Sequence, residues 1–312
     1  MRVVFMGTPE FAAMPLKMLI KEKIDIRAVV TQPDRPVGRK RIITPPPIKT
    51  LALEYDIPVY QPEKVKEEHF INILASLKPD IITVVAFGQI LPRRVLEIPK
   101  IGCINVHASL LPKYRGAAPI QWAIIKGEAV TGAKTMWMDE SLDTGDMFLQ
   151  ELITIKEEWT SLDLFRELSH LGGDLLLKTL INIKSGKPIR KPQDHEKSTY
   201  APMLKKQDGE INWLKNTQEI YNLIRGTYPW PGAYTIRNGC EIKIWKARPY
   251  LIGKEPVPGK VMGLIKNEGF LVGTGDGNIL VTELQEAGGK RMKATEYLSG
   301  HNIHEGDSFA DA

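Results

Sequence analysis

Apolar runs without alternation punctuate the first half of the chain. VVFM at 3–6 and IITVVAF at 81–87 are apolar at nearly every position, the pattern of strands covered on both faces of a parallel sheet. With Ile26–Thr31, Cys103–Val106 and Lys134–Met138 they make five predicted strands. Helical spacing predicts helices near 9–22, 47–55, 64–77, 116–127 and 160–182. Strand alternating with helix predicts an α/β domain with a doubly wound, mostly parallel sheet. Pro15 falls inside the first helical pattern, so that helix is expected to kink or to start late.

The pattern changes near residue 184. SGKPIRKPQDHEKSTYAPMLKKQDG is polar, contains proline and has no sustained period, so 184–208 reads as a linker. Beyond it, a helix near 215–226 precedes short strands at Ala233–Arg237, Glu241–Ala247, Gly259–Leu264, Gly269–Gly273 and Asn278–Leu284. Turns such as NGC and GTGDGN separate them, which predicts a compact antiparallel barrel or sandwich. The expected division is therefore 1–183, a linker at 184–208, and a second domain over 209–312.

A length of 312 residues suits two domains, and 43% hydrophobic with 25% charged residues excludes a disordered chain. Cys103 and Cys240 are the only cysteines. They offer neither a disulfide framework nor a C-x-x-C metal site, and read as thiols in a reducing compartment. MRVVFMGTPEF is too short in apolar residues for a signal segment, and no 18-residue apolar run occurs. A cytoplasmic protein with no membrane partner is expected.

Charge adds a local feature. The stretch 35–49, RPVGRKRIITPPPIK, carries Arg35, Arg39, Lys40, Arg41 and Lys49 with no acidic residue, and its +5 equals the formal net charge of the whole chain. Such a run is either a solvated face or a grip for phosphates near an RNA end. From 205 onward there are 14 Lys/Arg against 13 Asp/Glu, so the second domain is almost balanced. Its aromatics Trp213, Tyr228, Trp230, Tyr234 and Trp245 either stack on bases or fill a small core.

Chemistry concentrates in GCINVHASLLPKYRG, residues 102–116. Asn105 and His107 interrupt an apolar strand two positions apart, which puts an amide and an imidazole on one face. They are either a satisfied polar pair or half of an active site. MDESLDTGDM at 138–147 supplies Asp139, Asp143 and Asp146 in a loop after the next strand, with Gly145 allowing a tight turn. Loops at the carboxyl ends of parallel strands converge on the ligand crevice. There an amide donates to an oxyanion, an imidazole shuttles a proton and a carboxylate orients or accepts. One His with scattered Asp is a poor metal set. Nothing matches G-x-S-x-G, and Ser109 lies too near His107 in sequence for a triad. Gly7 in MGTPEFA is a lone glycine without G-x-G-x-x-G, so this turn is expected to place Thr8 near a helix cap and not to bind a dinucleotide. Transfer to an external nucleophile through a tetrahedral intermediate remains.

N-V-H-x-S-L-L-P-x-Y-R-G-A-A-P-I followed by L-D-T-G-D resembles the formyltetrahydrofolate-dependent formyltransferases. VVFMGTPEFA, TQPDRPVGRKR with PPPIK and IPVYQP, and RGTYPWPGAYT resemble the branch acting on methionyl-tRNA. The resemblance covers about 3–290. It implies a Rossmann-like catalytic domain and a C-terminal β-barrel resembling an OB fold. It implies catalytic roles for Asn105, His107 and Asp143, and folate contacts from Ser109, Leu110, Leu111 and Pro112. A pterin-holding loop is implied at Phe87, Gly88, Gln89, Ile90 and Leu91. The implied substrates are 10-formyltetrahydrofolate and methionyl initiator tRNA, with no metal, and a monomer is expected. Arg35, Arg39, Lys40, Arg41 and Lys49 would then meet the acceptor stem, and Lys205, Lys206, Lys243, Lys246 and Arg248 other phosphates. A formyltransferase for a small amine, a formyltetrahydrofolate hydrolase and a non-catalytic RNA-binding protein are the competing readings.

Overall fold

The computed structural model describes residues 1–38, 41–251, 253 and 255–309. Arg39 and Lys40 lie outside the described residues. The chain packs as two compact units: 1–119 with 130–154 and 165–201, and 120–129 with 155–164 and 202–312. The stretch 184–201, expected within a linker, packs with the first unit, and the second recruits two short stretches from earlier in the chain.

The first unit is built on β1 (Arg2–Gly7), β2 (Asp25–Val30), β3 (Arg35–Val37), β4 (Ile42–Thr44), β5 (Val59–Tyr60), β6 (Ile81–Val85), β7 (Gly102–His107), β8 (Val130–Trp137) and β9 (Met147–Thr154). Seven of these form one sheet in the order β5-β2-β1-β6-β7-β8-β9. The first five strands of that order pair in parallel, and β8 and β9 add an antiparallel edge. β1 and β6 are buried almost throughout, which is why their sequences carry no polar face. The first unit's helices are α1 (Ala13–Lys21), α2 (Pro47–Glu54), α3 (Glu68–Ser76) and α4 (Arg93–Leu96), whereas α5 (Pro119–Ile125) groups almost wholly with the second unit and α6 (Ser161–Lys184) with the first from residue 165 onward. Pro15 is accommodated by a late start: a 3-10 turn at Glu10–Ala12 precedes α1, so the ring sits in its first turn. The chain leaves β1 toward β2 and β5, then returns to β6 and β7 on the other side. Strand order therefore reverses between β1 and β6, and the crevice beyond their carboxyl ends is where open α/β sheets bind ligands.

The second unit contains α7 (Thr217–Gly226), β10 (Ala233–Arg237), β11 (Cys240–Tyr250), β12 (Val261–Ile265), β13 (Gly269–Gly273), β14 (Asn278–Glu286), β15 (Met292–Lys293) and α8 (Ala294–Gly300). Its antiparallel strands pair in the order β10-β11-β14-β13-β12, with β15 on β14. A reciprocal capping box starts α7: the Asn216 side chain accepts from the Glu219 amide, and Glu219 accepts from the Asn216 amide. The helix then turns Ile220 and Ile224 into a core with Ile242, Phe270 and Val281. Among the described residues no helix is long and apolar enough to cross a membrane.

Candidate active site

Asn105 and His107 stand on β7, between β6 and β8, with Asn105 in register with Val84 on one side and Met136 on the other. Period two puts both on the face that also carries Cys103. Burial pushes the Cys103 thiol up to about 12, so it stays protonated and is no nucleophile. Asn105 is half-buried, and among the described residues its amide meets no hydrogen-bond partner. The His107 ring is buried, with Nε2 2.9 Å from the Tyr114 carbonyl. A carbonyl only accepts, so Nε2 carries the proton and the other ring nitrogen is turned toward chemistry. That nitrogen, Nδ1, faces Asp143 Oδ1 at 3.7 Å.

The loop between β8 and β9 brings three acids, and their roles divide. Asp139 closes the turn by accepting from the Ser141 amide and the Thr144 hydroxyl. Asp146 lies 3.7 Å from Arg190, and its carbonyl accepts from the Trp137 amide. Asp143 alone faces His107, held by a 2.9 Å bond from the Gly116 amide to Oδ2. Its backbone is left-handed, with φ 54°. Gly145 is required for a different reason than the expected turn: a Cβ there would stand 1.9 Å from the Trp137 carbonyl oxygen.

The 109–112 segment is anchored from beneath. The buried Ser109 hydroxyl donates to the Lys113 carbonyl at 2.7 Å, and Leu111 is buried while Leu110 and Pro112 are half-buried. Lys134, opposite His107 in the β7–β8 register, sends its ammonium to the Leu111 carbonyl and to Met147 Sδ. Desolvation, with a smaller contribution from nearby Lys191, lowers the Lys134 pKa. Nothing in the sequence separates this lysine from an ordinary strand residue.

The loop after β6 sits at the switch point. Thr8, expected near a helix cap, caps nothing: its hydroxyl donates to the Phe87 carbonyl at 2.8 Å and so ties the β1 turn to the β6 loop. Gln32 donates to the same carbonyl at 3.3 Å. Phe87 and Leu91 are buried, whereas Gly88, with φ 86°, and Ile90 are exposed. Gln89 turns inward to accept from the Val65 amide at 2.9 Å. The carboxyl ends of β6 and β7 are adjacent, so this loop borders Asn105 and His107.

The basic stretch forms a hairpin where a loop was expected. β3 and β4 pair Arg35 with Thr44, Pro36 with Ile43 and Val37 with Ile42, and every one of their residues is exposed. Two of its cations have acidic partners from outside the run. Lys49 meets Asp34 at 2.8 Å, and Gln61 donates to the same carboxylate at 2.7 Å. Arg35 meets Glu63 at 2.5 Å with both side chains more than half exposed, a pair worth little and readily exchanged. Arg41 stands at the turn, with φ 49°.

In the second unit, Lys205 and Lys246 are exposed. Lys206 pairs with Glu241 and Arg248 with Glu268, each at 2.7 Å, while Lys243 donates to the Pro231 carbonyl. The aromatics divide between the two expectations. Trp213 is core, its indole donating to Thr235 Oγ1 and the Phe309 carbonyl. Trp230 is 57% exposed. Tyr228 and Trp245 meet edge to face, with the Arg291 guanidinium over both.

Sequence reasoning missed Gln193. It lies in the polar stretch read as linker, yet it is buried and bonds both the 143–145 and the 115 loops. No pattern marks it, because its partners there are backbone carbonyls and one arginine.

Residues 1–180 match the family described as formyl transferase, and 203–302 match formyl transferase, C-terminal domain. The methionyl-tRNA formyltransferase of Geobacter sulfurreducens is 47% identical, the alignment covering 100% of this chain and 98% of that protein. The methionyl-tRNA formyltransferase of Pelotomaculum thermopropionicum is 51% identical over 100% of this chain and 99% of its own. Among solved structures, HypX from Aquifex aeolicus in complex with tetrahydrofolic acid superposes with a TM-score of 0.67 at 18% identity. That alignment covers 98% of this chain and 48% of HypX, so the fold recurs there as part of a longer protein.

Proposed function

The chain belongs to the formyl transferase family, with both the N-terminal and the C-terminal domain, and on that basis we infer its reaction and the residues that perform it. It transfers the formyl group of 10-formyltetrahydrofolate to the α-amino group of methionyl initiator tRNA, the formylation that serves translation initiation. The full-length similarity to methionyl-tRNA formyltransferases carries this reading. The amide of Asn105, without a hydrogen-bond partner among the described residues and two residues from a histidine that faces a carboxylate, is what formyl transfer needs at the carboxyl edge of this sheet.

The methionyl amine attacks the formyl carbon, and a new C–N bond forms while the carbonyl oxygen takes up negative charge. Asn105 donates to that oxygen through its side-chain amide. Asp143, fixed by the Gly116 amide, accepts the amine proton directly or through water. That proton passes to Nδ1 of His107, and the imidazolium so formed aids the oxyanion and gives the proton to the departing folate nitrogen as the old C–N bond breaks. Its Nε2 bond to Tyr114 keeps Nδ1 directed into the site. The Phe87–Leu91 loop and Ser109–Pro112 hold the folate from two sides. The first unit is thus the catalytic domain and the second the tRNA-contacting one.

The hairpin at 35–44 supplies exposed basic charge for the acceptor end, and Arg35 trades Glu63 for phosphate. Lys49 serves the same function indirectly, by anchoring the base of the hairpin to Asp34. The protein works in the cytoplasm as a monomer, where charged tRNA and the folate pool meet and where Cys103 and Cys240 remain free thiols. Labelled 10-formyltetrahydrofolate supplied with methionyl initiator tRNA, uncharged tRNA, a small amine or water alone tests the reading. Label on the methionyl-tRNA amine supports it. Label on the small amine, or released as formate at the same rate without tRNA, overturns it.

A further inference from the structure

We propose that Gln193 is a positioning residue for the reaction, holding Asp143 in place through its backbone and coupling it to the loop that orients His107. The inference rests on the role given to Asp143 above. Gln193 lies outside every motif of the site, in a stretch that joins the first unit by a paired bridge of Lys191 with Met147.

The residue has a relative exposure of 5%, and every hydrogen-bonding capacity of its amide is used. The two N–H bonds of Nε2 donate to the Asp143 carbonyl at 2.9 Å and the Gly145 carbonyl at 2.8 Å. Oε1 accepts from Arg115 Nη2 at 2.7 Å and from Arg115 Nε at 3.2 Å. This pattern also fixes which end of the amide is oxygen, because only oxygen accepts from a guanidinium and only nitrogen donates to carbonyls.

The ring of contacts is closed. The Asp143 carboxylate is held by the Gly116 amide, its carbonyl by Gln193, and Gln193 in turn by Arg115, the residue next to Gly116. Tyr114, on the other side of Arg115, supplies the carbonyl that fixes the His107 tautomer. One glutamine therefore sets the distance between the loop that presents Asp143 and the 114–116 loop that orients His107 on β7. The left-handed backbone of Asp143 makes the restraint consequential. A residue at φ 54° keeps that conformation only where its surroundings impose it. A glutamine that merely satisfied a buried gap would be needed for folding, but it would have no special link to Asp143.

Gln193→Glu separates these roles. The isosteric carboxylate keeps both bonds from Arg115 and loses both donations to the 143–145 carbonyls. Misplacing a catalytic group by an ångström costs up to about 10²-fold. The expected result in steady-state formyl transfer is a fall in kcat of roughly 10- to 100-fold, with the KM of both substrates within about threefold. In an Asp143→Asn background the same substitution is expected to cost under about threefold, since the group it positions is already disabled. Arg115→Met, which removes the opposite anchor of the amide, supplies the same cycle if Gln193→Glu does not fold. An unchanged kcat, or an equal loss in both backgrounds, overturns the proposal. If Asp143→Asn alone keeps the native kcat, it is the role of Asp143 that fails, and that outcome is distinct from the first.

Discussion

Gly145→Ala puts the geometry of the Asp143 loop to a quantitative test. The added Cβ would lie 1.9 Å from the Trp137 carbonyl oxygen and 2.9 Å from its carbon. Ordinary C···O approaches are about 3.3 Å, so something must move by about 1.4 Å. The strand is the less yielding side, because β8 is paired on both edges. The loop is expected to give way, weakening the 2.8 Å bond between the Trp137 amide and the Asp146 carbonyl. One backbone hydrogen bond is worth about 0.5–1.5 kcal/mol, so the chain should still fold. Asp143, two residues away, is displaced by about an ångström, and such a displacement costs on the order of 10²-fold in rate, or about 2.7 kcal/mol. Formyl transfer should therefore lose about two orders of magnitude in kcat while Tm falls by only a few degrees. Gly300→Ala, where a Cβ meets nothing within 4 Å, is the control and should leave the rate unchanged. A Gly145→Ala kcat within threefold of native in a folded protein would refute the reasoning.

Neutralising Arg39, Lys40 and Arg41 should weaken tRNA binding and flatten its salt dependence, measured as log K against log salt, while folate affinity holds. Lys134→Met removes a buried cation whose folded pKa lies below its unfolded value, so the unfolded chain binds that proton more tightly and the charge opposes folding at neutral pH. The variant should lose the rise in stability toward alkaline pH seen in denaturant titrations. It should also raise the KM for the formyl donor, because the Leu111 carbonyl loses its anchor. Asp80, hydrogen-bonded by the Arg2 side chain and amide, titrates at about 2. Its stabilising contribution is complete above the ordinary carboxylate range and is lost as pH falls through about 2. Asp80→Asn should therefore be less stable than the native chain at pH 6, and the two should converge at the acid end of the titration.

The parallel core of the first unit could be read from the sequence because strands covered on both faces carry no polar positions, as in VVFM and IITVV. Edge elements gave no such signal. β9 buries only Phe148 and otherwise alternates half-buried with exposed residues, and the three-residue strands β3 and β4 are exposed throughout. Asn105 and His107 stood out as polar residues in an apolar strand. Asp143 could be placed in the right loop, but composition could not single it out from Asp139 and Asp146. That distinction lies in backbone turns: Asp139 closes the turn on itself, whereas a left-handed step aims Asp143 at the imidazole. Gln193 and Lys134 act through main-chain carbonyls, which every sequence possesses, so their roles became visible only with the fold.

Transfer of labelled formyl to methionyl initiator tRNA by Asn105→Ala, followed in a single turnover with both substrates saturating, tests the central claim most directly. Loss of one oxyanion donor should slow the step on the order of 10²–10³-fold while both substrates bind as in the native chain. A native rate from a folded Asn105→Ala protein would contradict the account and remove the β7 amide from the chemistry.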